Sequence, residues 1–192
     1  LELKSRRNGD AAASYIEVKA PSDLAGTKLL ALESADGKEE QMLKLASFPG
    51  VKRISGSGKR SAFLGSDFTY EDLAIREVAR GEHTLFADEA EYWVIETIPS
   101  DSPQYAKVRA HITKSDLVAR KVEFFDKRDG SLVKVLEVTE TAQNGEITLP
   151  RRTIMRNVKK GRRTELAVTR QRVDVGVDEL PADVFTAEYL ER

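Results

Sequence analysis

The sequence predicts a mainly β protein with only short helices, in one domain spanning residues 1–192. Three observations carry this. Asn8-Gly9, Asp36-Gly37, Asp129-Gly130 and Asn144-Gly145 are dipeptides favoured in type I′ hairpin turns, and they recur along the chain. Apolar and polar residues alternate on both sides of nearly all of them. Helical periodicity is confined to isolated turns. Tight turns join antiparallel neighbours, so the predicted sheet is antiparallel.

The elements follow in order. Leu1-Glu2-Leu3-Lys4-Ser5-Arg6 alternates as an opening strand. Ser14–Ala20 and Thr27–Glu33 pair next, then the short Gln41–Ala46 and Val51–Ile54. Glu91–Ile98, Tyr105–Ile112, Leu117–Asp126 and Leu132–Thr139 continue the series, and Ile147–Val158 and Arg162–Val173 close it. Pro21–Gly26 fits one helical turn stopped by glycine. Ser66 or Asp67 can cap a short helix through Leu73. Pro181–Leu190 fits one or two amphipathic turns on a sheet edge. Glu91–Ile98 and Leu117–Asp126 are half apolar on both faces, which suits a strongly curved sheet covered on both sides. Which face lines the concave side stays open at this point.

Composition excludes several classes of function. Hydrophobic residues make 40% and charged residues 33%, a balance that suits a folded, soluble domain rather than disorder. There is no cysteine, so disulfides, thiolate nucleophiles and cysteine metal sites are out. Net charge is -1, so no bulk field selects nucleic acid or membrane. No apolar run reaches the ~18 residues of a membrane-spanning helix. The chain starts without Met or a signal peptide, which reads as a fragment or a processed form that has lost its leader, with or without its first element.

Catalytic motifs are missing. Gly56-Ser57-Gly58-Lys59 lacks the leading glycine of a phosphate loop, where Arg53 stands, and its magnesium-binding hydroxyl, where Arg60 stands. His83 and His111 are the sole histidines, and no Gly-x-Ser-x-Gly elbow positions a nucleophile. No enzyme activity, cofactor or metal is expected. Residues 151–172 carry nine Arg or Lys and one Glu but no aromatic for base stacking, which argues against nucleic acid. This basic hairpin reads as a solvated face or as a docking surface for an acidic partner or anionic lipid headgroups.

The segment from Arg53 to Leu73 breaks the alternating pattern. A basic Gly/Ser-rich loop runs into Phe63, Leu64, Phe68, Tyr70 and Leu73. Glycines beside an apolar cluster read as a movable lid or rim over a greasy surface.

Specific strings carry a resemblance. Pro21-Ser22-Asp23-Leu24-Ala25-Gly26, Val51-Lys52-Arg53-Ile54 and above all Gly65-Ser66-Asp67-Phe68-Thr69-Tyr70-Glu71-Asp72-Leu73 resemble the outer-membrane lipoprotein-sorting proteins of the LolA-like superfamily. Tyr92-Trp93-Val94-Ile95-Glu96, Phe124-Phe125-Asp126, Met155-Arg156-Asn157 and Thr164-Glu165-Leu166 follow in the family's order. Gln41–Ala46 departs, standing where similar proteins carry a Trp-Leu-Tyr-Leu-Pro pattern. The resemblance implies a curved antiparallel sheet closed into an incomplete, half-open β-barrel with a helical and loop lid. It implies a non-enzymatic periplasmic carrier of lipid, lipoprotein acyl chains or another hydrophobic ligand. On that reading Trp93, Ile95, Phe124 and Met155 form the concave wall, and Lys59 and Arg60 meet a headgroup at the mouth. The rival reading is a structural module that docks a membrane protein of the cell envelope, such as an exporter, through the basic hairpin.

Overall fold

The structure, a computed structural model, describes residues 1–74, 81–176 and 178–192 and contains two compact units. The first holds Leu1–Ser61 and Asp174–Arg192, with Leu73 also assigned to it; the second holds Ala62–Glu71 and the later strands.

The first unit is a five-stranded antiparallel meander. Its strands are β1 (Glu2–Asn8), β2 (Ala11–Glu17), β3 (Lys28–Glu33), β4 (Glu39–Lys44) and β5 (Lys52–Ile54), each paired with the next. Ala13 and Tyr15 of β2, Leu30 of β3 and Met42 of β4 share one face and form a core with Val184, Phe185 and Leu190. The C-terminal segment therefore packs on the sheet's face rather than on its edge. It is a 3₁₀ turn, Ala182–Phe185, followed by α1 (Ala187–Glu191), whose first turn is capped by the Thr186 hydroxyl accepting from the Tyr189 N–H. Tyr189 meets the Tyr15 ring edge to face at 5.5 Å.

The second unit is a seven-stranded antiparallel sheet. In chain order its strands are β6 (Glu82–Asp88), β7 (Tyr92–Ile98), β8 (Tyr105–Thr113), β9 (Ala119–Asp126), β10 (Leu132–Asn144), β11 (Ile147–Asn157) and β12 (Arg162–Ala167). β6 was not expected. Its residues are almost all exposed, so no buried face marks it in the sequence. Gly81 at its start has φ +141°, and a Cβ there would lie 2.7 Å from the Ile98 carbonyl oxygen. Only glycine permits that approach.

The hairpins form where the dipeptides predict, with different turn geometry. Gly9 and Gly145 take positive φ, of 59° and 61°, while Asn8 and Asn144 remain in paired strand positions. A type I′ turn needs positive φ at both central residues, so these turns rely on the glycine alone. Pro21–Gly26 makes the single expected turn, closed by Ala25 N–H donating to the Pro21 carbonyl, with Gly26 at φ 86°.

Candidate functional site

Cross-strand partners in a sheet share a face, so the register of the second unit sorts its side chains. One lateral row runs Leu85, Ile95, Ala110, Val122, Leu136, Met155, Thr164 from β6 to β12. The adjoining row runs His83, Thr97, Val108, Phe124, Lys134, Asn157, Arg162 on the same face. Trp93 pairs with Ile112 one row to the other side, also on this face. Trp93, Ile95, Phe124 and Met155 thus share a single apolar face, which the alternation of isolated strands left open.

The opposite face is charged and internally compensated. Glu96 accepts from Arg109 at 2.7 Å and from Lys107 at 3.0 Å, and the Arg109 bond in particular holds its carboxyl below the usual range. Burial pushes Glu123 up, but bonds from Lys121 and His111 outweigh it and keep the carboxyl low. Arg156 pairs with Glu137 at 2.8 Å, and Arg152 with Glu140 and Glu165. Phe125 survives on this face because the Lys107 and Arg109 side chains cover its ring. That is why the strands looked apolar on both sides.

The same ion pairs bear on the basic hairpin. Arg152, Arg156, Lys159 and Arg162 are engaged by acids of the unit, Lys159 by Asp126 and Asp129. The hairpin is less basic towards solvent than its sequence implies.

The segment 62–71 crosses the apolar face as a strap. It is not the capped helix that the sequence suggests. Phe63–Gly65 is a 3₁₀ turn, Leu64 and Gly65 take φ of 49° and 74°, and Phe63 N–H donates to the Phe68 carbonyl at 2.8 Å. Ala62 and Thr69 then pair as an isolated bridge, which makes a miniature hairpin. Asp67 does not cap a helix because β12 engages its polar groups. Its N–H donates to Thr164 Oγ1, that hydroxyl donates to Asp67 Oδ2, and Arg162 donates to Oδ1, at 2.9, 2.9 and 3.2 Å. Glu71 accepts from the Ser102 hydroxyl, and Ser102 Oγ accepts from Tyr105 N–H at 2.8 Å. The strap is therefore tied at β12 and at the β7–β8 connection.

Phe63, Phe68 and Tyr70 are buried in this position, Phe63 and Tyr70 ring to ring at 5.8 Å. Burial raises the Tyr70 phenol above its ordinary value. Leu64 is half-buried. The face beneath is unevenly covered. Met155 (0% exposed) and Tyr105 (3%) are sealed near the two ties, whereas Trp93, Ile95 and Ala110 are only half-buried and Leu85 is exposed.

Three of the expected site residues lie in the first unit. Lys59 Nζ is 2.6 Å from Glu39, Arg60 is exposed, and Leu73 is half-buried. One residue of the face escaped the sequence reading. Lys134 is buried (5%) between Phe124 and Asn157, its ammonium 5.8 Å from the Tyr105 ring centroid. Its alternation with Val133 and Val135 gave no sign of that burial. No group of His, Asp and Glu among the described residues is placed to hold a metal ion. No described helix is long and apolar enough to cross a membrane.

Comparison with known proteins agrees with this architecture. A family model described as an uncharacterized protein matches residues 10–192. No curated protein matches. A solved structure from Vibrio parahaemolyticus, described as an outer membrane lipoprotein-sorting protein domain, is 31% identical. It superposes at TM-score 0.90 over 99% of this chain and 82% of its own. A DUF1329 family protein from Desulfovibrio piger, 22% identical, reaches TM-score 0.86 over 98% of this chain and 82% of its own. A LolA superfamily protein from Nitrosomonas europaea, 19% identical, reaches 0.72 over 97% and 88%. The last two share the fold. The 31% identity across nearly the whole chain places it: it belongs to the outer-membrane lipoprotein-sorting proteins.

Proposed function

We propose that this protein is a non-enzymatic carrier in the periplasm of a Gram-negative cell. It binds an acyl chain of a lipid or lipoprotein on the apolar face of the seven-stranded sheet, beneath and beside the strap. The observation that carries the reading is the single face shared by Trp93, Ile95, Phe124 and Met155, half-open on the β6–β8 side. Each methylene moved from water onto such a face contributes ~0.8 kcal/mol, which needs no directional bond and no covalent step. Phe63, Leu64, Phe68 and Tyr70 form the lid, which opens by releasing its ties.

Trp93 is the chain's one tryptophan and sits on the proposed wall, so it reports directly. A fatty acid brominated in mid-chain should quench its emission at micromolar concentration, and an unbrominated chain should compete the quencher off. Saturable quenching that competes supports the reading. Emission unchanged up to the probe's solubility limit sinks it.

A further inference from the structure

The strap is tied at β12 through the Asp67 carboxylate. Asp67 presents a buried carboxylate to two donors on the apolar face, Arg162 and the Thr164 hydroxyl. Thr164 ends the apolar row that contains Ile95, Leu136 and Met155. Arg162 ends the adjoining row. The anion that meets these groups comes from the strap itself. When the strap lifts, the guanidinium and hydroxyl lose their carboxylate beside an apolar surface, which is unfavourable until an anion replaces it. Arg162 is half exposed, so an incoming group can reach it before the strap has left.

We infer that Arg162 and Thr164 form an anion site that reads a carboxylate or phosphate at the head of the cargo, with Asp67 as the built-in competitor. The ligand class is an anionic amphiphile, its tail along the Met155–Leu136 row and its head at β12. The inference rests on the carrier reading and adds a headgroup preference to it. Exchange of one carboxylate for another anion also couples loading to strap release, because both compete for the same donors.

Dodecanoate, dodecyl phosphate and the uncharged dodecyl maltoside separate the possibilities, read by Trp93 emission and by calorimetry. Dodecanoate and dodecyl phosphate should bind at least tenfold more tightly than the maltoside at low salt. Arg162→Gln should remove that preference; because Arg162 also ties the strap, the readout is the ratio of dodecanoate to maltoside affinity within the variant, which should fall to about one. Asp67→Asn, which keeps the side chain's shape and removes its charge, should tighten the anionic probes several-fold. Equal affinity for charged and uncharged probes overturns the inference and spares the carrier reading, as does a preference that survives Arg162→Gln. Butyrate or inorganic phosphate binding as tightly as dodecanoate means a free-anion site and overturns the amphiphile assignment. No binding of any dodecyl probe overturns the carrier reading itself.

Discussion

Thr164→Val tests whether the strap is tied as described. The Thr164 hydroxyl accepts from the Asp67 N–H and donates to the Asp67 carboxylate, both at 2.9 Å. Valine keeps the volume and suits a strand, so packing and propensity change by only a few tenths of a kcal/mol. It leaves one buried N–H and one buried carboxylate oxygen without their partner, at about 1–3 kcal/mol each. The expected loss is about 2–6 kcal/mol, measured as a lower urea midpoint at unchanged m-value. If the strap opens independently of the sheet, the loss appears instead in hydrogen exchange. The Phe63 amide, bonded to the Phe68 carbonyl, then exchanges ~30-fold faster or more, the equivalent of 2 kcal/mol. Thr164→Ser retains both bonds and should stay within ~1 kcal/mol of the parent. A Thr164→Val protein within 0.5 kcal/mol of the parent, with Phe63 exchange changed less than threefold, refutes the tie.

Three further outcomes follow from the same geometry. Gly81→Ala should cost about 1–3 kcal/mol by thermal or urea unfolding, because the new Cβ meets the Ile98 carbonyl oxygen and φ is +141°; a neutral effect would mean that β6 starts differently. Phe68→Ala should weaken an acyl probe at least tenfold if the strap is the lid, and unchanged affinity in a folded variant sinks that role. Bonds from Arg128 and then Lys159 hold the Asp126 carboxyl well below its ordinary value, and Asp129 is lowered to about 2 by Ser131 and Lys159. These depressed groups stabilise the fold above the unfolded carboxylate range near pH ~4, and that contribution is lost as pH falls towards the folded values. Lys159→Met raises both folded values, so its acid-unfolding midpoint, followed by circular dichroism, should move to higher pH; an unmoved midpoint counts against the Lys159 pairings.

Most of the strand order was legible because glycine turns and alternation are local properties. What the sequence withheld depends on partners distant in the chain. The face of β7 and β9 could not be chosen because Phe125 hides beneath Lys107 and Arg109, from a neighbouring strand. Once register is known, Phe124 and Phe125 separate cleanly, one onto the apolar face and one under cations. The strap was misread as a helix for a related reason. Ser66, Asp67, Glu71 and Asp72 make a plausible helix start, but Thr164, 97 positions away, takes the donor and acceptor that a cap would use. β6 escaped because exposed residues impose no pattern.

A helix start diverted to a distant strand has a consequence for how a carrier can work. A helix keeps its own backbone bonds when it lifts, so its cover can move at little internal cost. The 62–71 strap closes on itself through the Phe63–Phe68 bond, the Ser66 bonds to Phe63 and the Ala62–Thr69 bridge, none of them a helical ladder, and it is tied to the sheet through Asp67 and Glu71. Its closed state is therefore set by polar ties at two points, while its apolar residues, Phe63, Phe68 and Tyr70, supply unspecific cover. Apolar cover resists any opening equally and cannot discriminate among cargoes. Polar ties can be exchanged, one donor set for another, and an anion that competes with Asp67 lowers the cost of opening only where that anion is attached to something the apolar face will hold. On the proposed carrier reading, selectivity then resides at the edge of the apolar face, at β12, rather than in its centre.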